Sequence, residues 1–314
     1  MSERTLRNYI DGRFRRPEDA RSMEVENPAT GEAIATVPLS SEEEVDRAVE
    51  VGREAFETWR RTPAPERVQP LFRLKALLEE HIDELARLIT DECGKTLAES
   101  RGELRRGIEN VETACGIPTL MQGQTNEDVS RGIDEMMIRQ PLGVVTAITP
   151  FNFPGMIPLW FLPYAIATGN AFICKPSEKV PMVVERIYAL IDELDLPDGV
   201  AQLVNGAGET ATALIDHPEE HPALPVVYLV HVAEETPSIG TVAAQQLASA
   251  PQFHRLERCV TPDTNYDPVT VTPRDPTAAQ GGPERRKRFK GPDLRSVRHV
   301  RGRAVRVADR HSVP

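Results

Sequence analysis

A doubly wound α/β domain led by N-terminal helices is the fold class predicted for this chain, and three observations predict it. Residues 143–150, GVVTAITP, form the continuous apolar, β-rich run that a strand buried on both faces requires. Two further runs, AFICK at 171–175 and VAQLVN at 200–205, follow it with helical patterns between them. Strands that alternate with helices need crossover connections, and crossovers make neighbouring strands parallel.

Each element has its own local signal. The first forty residues are short β-like runs broken by the turn pairs Asp11-Gly12 and Thr30-Gly31, which predicts a surface hairpin. Ser41 followed by Glu44 makes a capping-box pattern, and Val45, Ala48, Val49, Gly52, Phe56 and Trp59 recur at helical spacing until Thr62-Pro63 stops the run. Leu71, Leu74, Leu78, Ile82, Leu85 and Ile89 mark the buried stripe of a second helix that exits at Cys93-Gly94. A third spans about 97–115. Beyond the first buried strand, MIPLWFLPYAIATGN reads as a helix closed by Gly169-Asn170, and Val180 to Leu194 as another.

The 314 residues suffice for a substantial core, and 40% hydrophobic with 27% charged residues is ordinary for a globular chain. Acidic residues outnumber basic ones 48 to 37, which disfavours non-specific attraction to nucleic acid or an anionic membrane. The balance is uneven: residues 1–220 carry 39 acidic against 23 basic side chains, and the remainder 9 against 14. Four scattered cysteines make no metal knuckle or disulfide framework, and the N-terminus lacks a signal-peptide core, so a cytoplasmic location is expected. The uncharged stretch from Gln140 to Cys174 is long enough to suggest a membrane span, but five prolines interrupt it, which favours buried strand, turn and helix.

Several motifs bear on chemistry. Gly206-Ala207-Gly208-Glu209-Thr210-Ala211 follows a predicted strand and opens a helix, a context that suits dinucleotide binding and equally suits a plain turn. ECGKT at 92–96 is no phosphate loop, because Ile89 stands where the first glycine would be needed. His217 and His221 have helical spacing, but Pro218 breaks the helix and a loop without metal is expected. ITPFNFP, residues 148–154, ends the first buried strand, where open α/β sheets place their ligands. Asn152 there can donate its amide to a developing oxyanion. CKPSEK ends the next strand and sets Lys175 and Glu178 where sugar hydroxyls could be bonded.

PFNFP, GNAFICKPSE and LVNGAGET, in this order, are similar to the aldehyde dehydrogenase superfamily, and GKTLAESRGELRRGIENVETACGIPTLMQG with MIRQPLGV resembles its CoA-acylating methylmalonate-semialdehyde dehydrogenase branch. The resemblance covers residues 5 to about 220, an N-terminal portion of that fold. It implies NAD as cofactor and coenzyme A as co-substrate. Oxidation of malonate or methylmalonate semialdehyde would proceed by attack of a cysteine thiolate and hydride transfer to NAD. Release of the acyl group to coenzyme A with loss of carbon dioxide would then give acetyl-CoA or propionyl-CoA. Carried over by position, Asn152 holds the oxyanion, Thr149 and Phe151 lie beside the nicotinamide side of NAD, and Lys175 and Glu178 bind its adenosine ribose. Lys179 is a further cofactor neighbour, and Gly208 lets backbone approach NAD closely. Residues 120–140 resemble the first part of the family's projecting oligomerisation strands, which implies a dimer or tetramer.

After Glu220 the resemblance fades. VVYLVHVAEETPSIGTVAAQQLAS has a strand, turn and helix look without the family's glycine-serine turn, and residues 221–314 are expected to be a divergent, irregular tail. Cys259, in LERCV, sits in a setting similar to the family nucleophile but too soon after Asn152. Residues 281–314 hold 11 basic and 3 acidic residues; a basic arm for an anionic partner is one reading, and a shift of reading frame near codon 220 is the one favoured. Two functions follow: an enzyme-derived chain with little turnover of its own, or a non-catalytic NAD-fold module that associates with an intact relative.

Overall fold

The computed structural model describes residues 4–17, 21–217 and the backbone of 227–230. In chain order, β1 (Asn8–Ile10) and β2 (Arg13–Arg15) form a hairpin, as do β3 (Ser22–Glu26) and β4 (Ala33–Pro38). Asp11 and Gly12 carry the first turn at φ 58° and 66°, so the sequence signal had a left-handed backbone behind it. The helices α1 (Glu42–Trp59), α2 (Ala64–Arg67), α3 (Gln69–Glu80), α4 (Ile82–Cys93), α5 (Leu97–Ala114) and α6 (Ile117–Leu120) follow. Next come an antiparallel pair, β5 (Gln124–Ser130) and β6 (Ile133–Met137), and then β7 (Val144–Ile148), α7 (Met156–Thr168), β8 (Ala171–Lys175), α8 (Met182–Ile191), β9 (Ala201–Leu203), α9 (Gly208–Ile215) and β10 (Val227–Val230).

The predicted parallel sheet is present. Its strand order is β10-β7-β8-β9-β1-β2, with β10, β7, β8 and β9 mutually parallel and the β1-β2 hairpin added antiparallel at the edge through Tyr9 opposite Leu203. Every residue of β8 is buried, because the pleat sends alternate side chains into two cores. Phe172 and Cys174 join α3, α4, α5, α7 and α8 on one face, whereas Ala171 and Ile173 join α1 and α9 on the other. The hairpin, expected on the surface, thus completes the sheet: Tyr9 and Ile10 are buried, and Tyr9 also donates to Asp192 at 2.8 Å.

Two local expectations needed correction. The stretch 69–93 is two helices, broken at His81 (φ −97°, ψ 10°), since the apolar stripe continues across a one-residue bend. Ser41 is an N-cap without a capping hydrogen bond, and its hydroxyl donates to Glu43. The capping box belongs to Thr96 and Glu99, which exchange both bonds at the start of α5. The strand look of VVYLV is realised in β10, which pairs with β7 from Val227 to Val230.

The uncharged stretch 140–174 is β7, α7 and β8, as predicted, and no helix among the described residues is long and apolar enough to cross a membrane. α7 holds Pro158 and Pro163 and no charged residue. Its position is set at its ends. Buried Glu103 accepts from the Gly155 and Met156 amides at the N-terminus, and the buried Arg67 guanidinium lies against Gly169 at the C-terminus. Both charges have the sign that the helix dipole favours.

Candidate functional site

Three βα loops emerge at the carboxyl ends of β7, β8 and β9. The chain winds outward from β7 through β8 to β9 and then returns to place β10 on the opposite side of β7. That reversal is the switch point at which open α/β sheets hold ligands, and the loop carrying Asn152 issues from it.

The first loop, residues 149–155, is anchored at its root by the Thr149 amide, which donates to the Lys175 carbonyl at 3.0 Å. Thr149 is buried, whereas Phe151, Asn152 and Phe153 are half-buried. The Asn152 Oδ1 is buried without a hydrogen-bond donor among the described residues.

On the second loop, Lys175 is buried and its Nζ donates to Glu178 Oε2 at 3.2 Å. Burial lowers the lysine's pKa, and the Glu178 carboxylate partly restores it. An ammonium so enclosed keeps its donors for whatever enters beside Glu178, at which the pair is 23% exposed. Exposed Lys179 lies with Nζ 5.4 Å from the centroid of the Phe151 ring, so the first and second loops also meet through a cation–π contact. Gly208 stands on the third loop as the first residue of α9. The sequence-predicted residues Thr149, Phe151, Asn152, Lys175, Glu178, Lys179 and Gly208 therefore all fall at or just beyond the carboxyl ends of β7, β8 and β9. Cys259 lies outside the described residues.

Sequence reasoning missed the supports beneath these loops. Around the α4–α5 junction, Cys93 Sγ donates to the Phe151 carbonyl at 3.5 Å, Lys95 Nζ lies 3.9 Å from the Phe153 ring centroid, and Lys95 also pairs with Glu103 at 2.5 Å. Gly155 packs closely where α7 begins: a Cβ there would stand 2.8 Å from a Leu104 methyl and 3.0 Å from an Ile89 methyl, so those side chains would have to shift. Beneath the second loop, buried Glu92 accepts from the Met182 amide at 2.6 Å and the Val183 amide at 3.0 Å, capping α8. The one signal available was the acidic residue before Cys93-Gly94, and nothing in its neighbourhood indicates which distant helix it caps.

Burial pushes the Glu92 carboxyl up to about 8 against two backbone donors that oppose the rise. The folded state thus binds this proton more tightly than the unfolded chain does. Its stabilising contribution is complete below the ordinary carboxylate range and is lost as pH climbs through about 8. The thermal midpoint should accordingly fall between about pH 5 and pH 9, and melting curves of Glu92→Gln across that range should lose this slope. An unchanged slope in the variant would assign the pH dependence to other groups.

None of the three described cysteines is prepared as a nucleophile. Burial raises the pKa of Cys93 and Cys115 and pushes the Cys174 thiol up to about 12, whereas nucleophilic attack needs the thiolate.

Fold and loops together define a doubly wound α/β protein whose ligand edge pairs an amide donor with a buried lysine–glutamate pair. Residues 14–222 match the aldehyde dehydrogenase family, and the chain belongs to that family. Malonate-semialdehyde dehydrogenase 2 of Geobacillus kaustophilus is 51% identical over 215 residues, 68% of this chain and 44% of the relative. Malonate-semialdehyde dehydrogenase of Halalkalibacterium halodurans is 44% identical over 265 residues, 83% of this chain and 54% of the relative. The crystal structure of methylmalonate-semialdehyde dehydrogenase from Oceanimonas doudoroffii superposes with a TM-score of 0.67 at 46% identity, covering 71% of this chain and 45% of the other. A Sinorhizobium meliloti 1021 protein solved complexed with NAD gives a TM-score of 0.68 at 39% identity, over 73% and 46% of the two chains. The chain thus spans about half the length of the relatives it matches.

Proposed function

We propose that residues 1–220 are the nucleotide-binding part of a CoA-acylating semialdehyde dehydrogenase that oxidises malonate or methylmalonate semialdehyde with NAD. The observation that carries this reading is the buried Lys175 paired with Glu178 at the end of β8, one loop away from Asn152, in a chain half identical to malonate-semialdehyde dehydrogenases.

The residues fit a dinucleotide. Lys175 and Glu178 offer a donor and an acceptor to adjacent ribose hydroxyls, Gly208 brings the start of α9 close to the ligand, and Thr149 with Phe151 walls the nicotinamide end. Bound NAD supplies a hydride acceptor. The Asn152 amide donates to the aldehyde oxygen as negative charge develops on it, which favours addition of a cysteine thiolate to the carbonyl. Coenzyme A is the acyl acceptor in this reading, and Cys259 is the candidate thiol.

The β5–β6 arm supports an oligomer. All its residues are exposed, Val129, Ile133, Met136 and Met137 among them, and Ile138 follows directly. We assign the arm to pairing with a second copy or an intact relative. The second reading is a non-catalytic NAD-binding module, and it is favoured by the raised thiol pKa of all three described cysteines.

Purified protein given NAD, coenzyme A and malonate semialdehyde tests both readings. NADH formation that disappears in Cys259→Ala supports the enzyme; NAD binding without turnover supports the module; absence of NAD binding overturns both.

A further inference from the structure

The third loop is held in a way that neither the sequence motifs nor the family match assign. Asn8 on β1, Ser40 before α1, Asn205 after β9 and Thr210 on α9 are all buried, and their polar atoms close a ring. Asn8 Nδ2 donates to Ser40 Oγ at 2.8 Å, and the Asn205 amide donates to Asn8 Oδ1 at 2.8 Å. The Ser40 amide donates to the Asn205 carbonyl at 3.2 Å, and Thr210 Oγ1 donates to the Ser40 carbonyl at 2.7 Å. Asn205 Nδ2 adds a bond to the Arg7 carbonyl at 2.8 Å.

Gly206 is caught inside this ring. A Cβ at Gly206 would stand 2.0 Å from Thr210 Oγ1, so the Thr210 side chain fills the place a side chain of residue 206 would need. Ser40 fixes the Thr210 hydroxyl, Thr210 covers Gly206, and Asn8 holds the residue just before it. The N-terminal segment therefore sets both the entry and the course of the loop that delivers Gly208.

The ring serves stability, because its side chains satisfy the buried Asn205 amide and the Arg7 and Ser40 carbonyls. Being directional, the same bonds also select one loop geometry. The ring lies at the carboxyl end of β9, and the strand bearing Asn8 reaches it only because the hairpin joins the sheet edge.

We propose that Asn8, Ser40 and Thr210 are positioning residues for NAD. They act through the Asn205–Gly208 backbone, so the N-terminal hairpin segment is a working part of the nucleotide site. The inference rests on the cofactor reading above.

The test compares wild type with Thr210→Val, which removes the hydroxyl and keeps the bulk over Gly206, with Thr210→Ser, which keeps the hydroxyl, and with Asn8→Ala. NAD affinity is read by calorimetry, the unfolding midpoint by melting, and amide hydrogen exchange at 205–208 against β7 and β8. Thr210→Val and Asn8→Ala should weaken NAD roughly tenfold, the size of one lost buried hydrogen bond, with faster exchange confined to 205–208. Thr210→Ser should stay within about twofold of wild type. Equal NAD affinity in all four proteins, or exchange that rises equally in β7 and β8, would overturn the proposal and leave a purely structural ring. If wild type itself takes up no NAD, the cofactor reading fails. The ring is then judged on exchange at 205–208 alone, where unchanged protection in Asn8→Ala rejects it.

Discussion

Glu103→Ala is expected to lower folding stability by about 3–5 kcal/mol, the range seen when one partner of a buried ion pair is removed. The Glu103 side chain is 1% exposed, and its two oxygens divide their roles. Oε1 accepts from the Gly155 and Met156 amides, and Oε2 holds Lys95, itself 20% exposed. Truncation strands two buried N–H donors at the start of α7 and leaves an ammonium over the Phe153 ring without its counter-charge. Core packing of Leu159, Leu162 and Ile166 holds the body of α7 but offers no acceptor to those two amides, so the loss falls on the first turn. Glu103→Gln keeps an acceptor for the Gly155 and Met156 amides and should lose markedly less. Chemical denaturation of the two variants measures the difference; equal losses would assign the effect to the Lys95 pair alone.

Lys175→Met is expected to have the opposite signature: NAD affinity down by roughly 30- to 100-fold, the scale of hydrogen bonds made by a charged group, with stability within about 1 kcal/mol of wild type. Burial of the Lys175 ammonium is a cost to the folded state, seen in its lowered pKa, and methionine of similar length removes that cost. Glu178, 23% exposed, is returned to water when its partner goes, so no stranded charge offsets the gain. A folded chain that has stopped binding NAD would separate ligand recognition from structural support. Calorimetric titration beside a melting curve measures both, and undiminished affinity would remove Lys175 from the cofactor site.

The contrast between these residues explains what was legible. Lys175 and Asn152 were visible because they terminate apolar β runs, and the end of a parallel strand is a ligand position whatever the ligand is. α1, α5, β7, β8 and β9 were visible because burial imposes a period of 3.6 or 2 on apolar residues. The break at His81 was not, since the stripe from Leu71 to Ile89 keeps its phase through a one-residue bend. Ser41 and Thr96 show the same limit on a smaller scale. Both begin helices and both are followed three residues later by glutamate, yet only Thr96 closes the box, and the Ser41 hydroxyl donates to Glu43.

By itself, the sequence determined the α/β class, the parallel strands in order, the three loops at their carboxyl ends, and the family. Only the tertiary structure decided what holds those loops: Glu103 under the first, Glu92 under the second, Asn8 and Ser40 around the third. Periodicity records burial, which many residues share along one element and which therefore repeats. A cap or a clamp is a single polar contact between positions 52, 90 or 197 residues apart, as in Glu103 with Gly155, Glu92 with Met182 and Asn8 with Asn205. Such a contact leaves no repeating pattern in the chain, and a buried glutamate reads the same as an exposed one until the helices are packed.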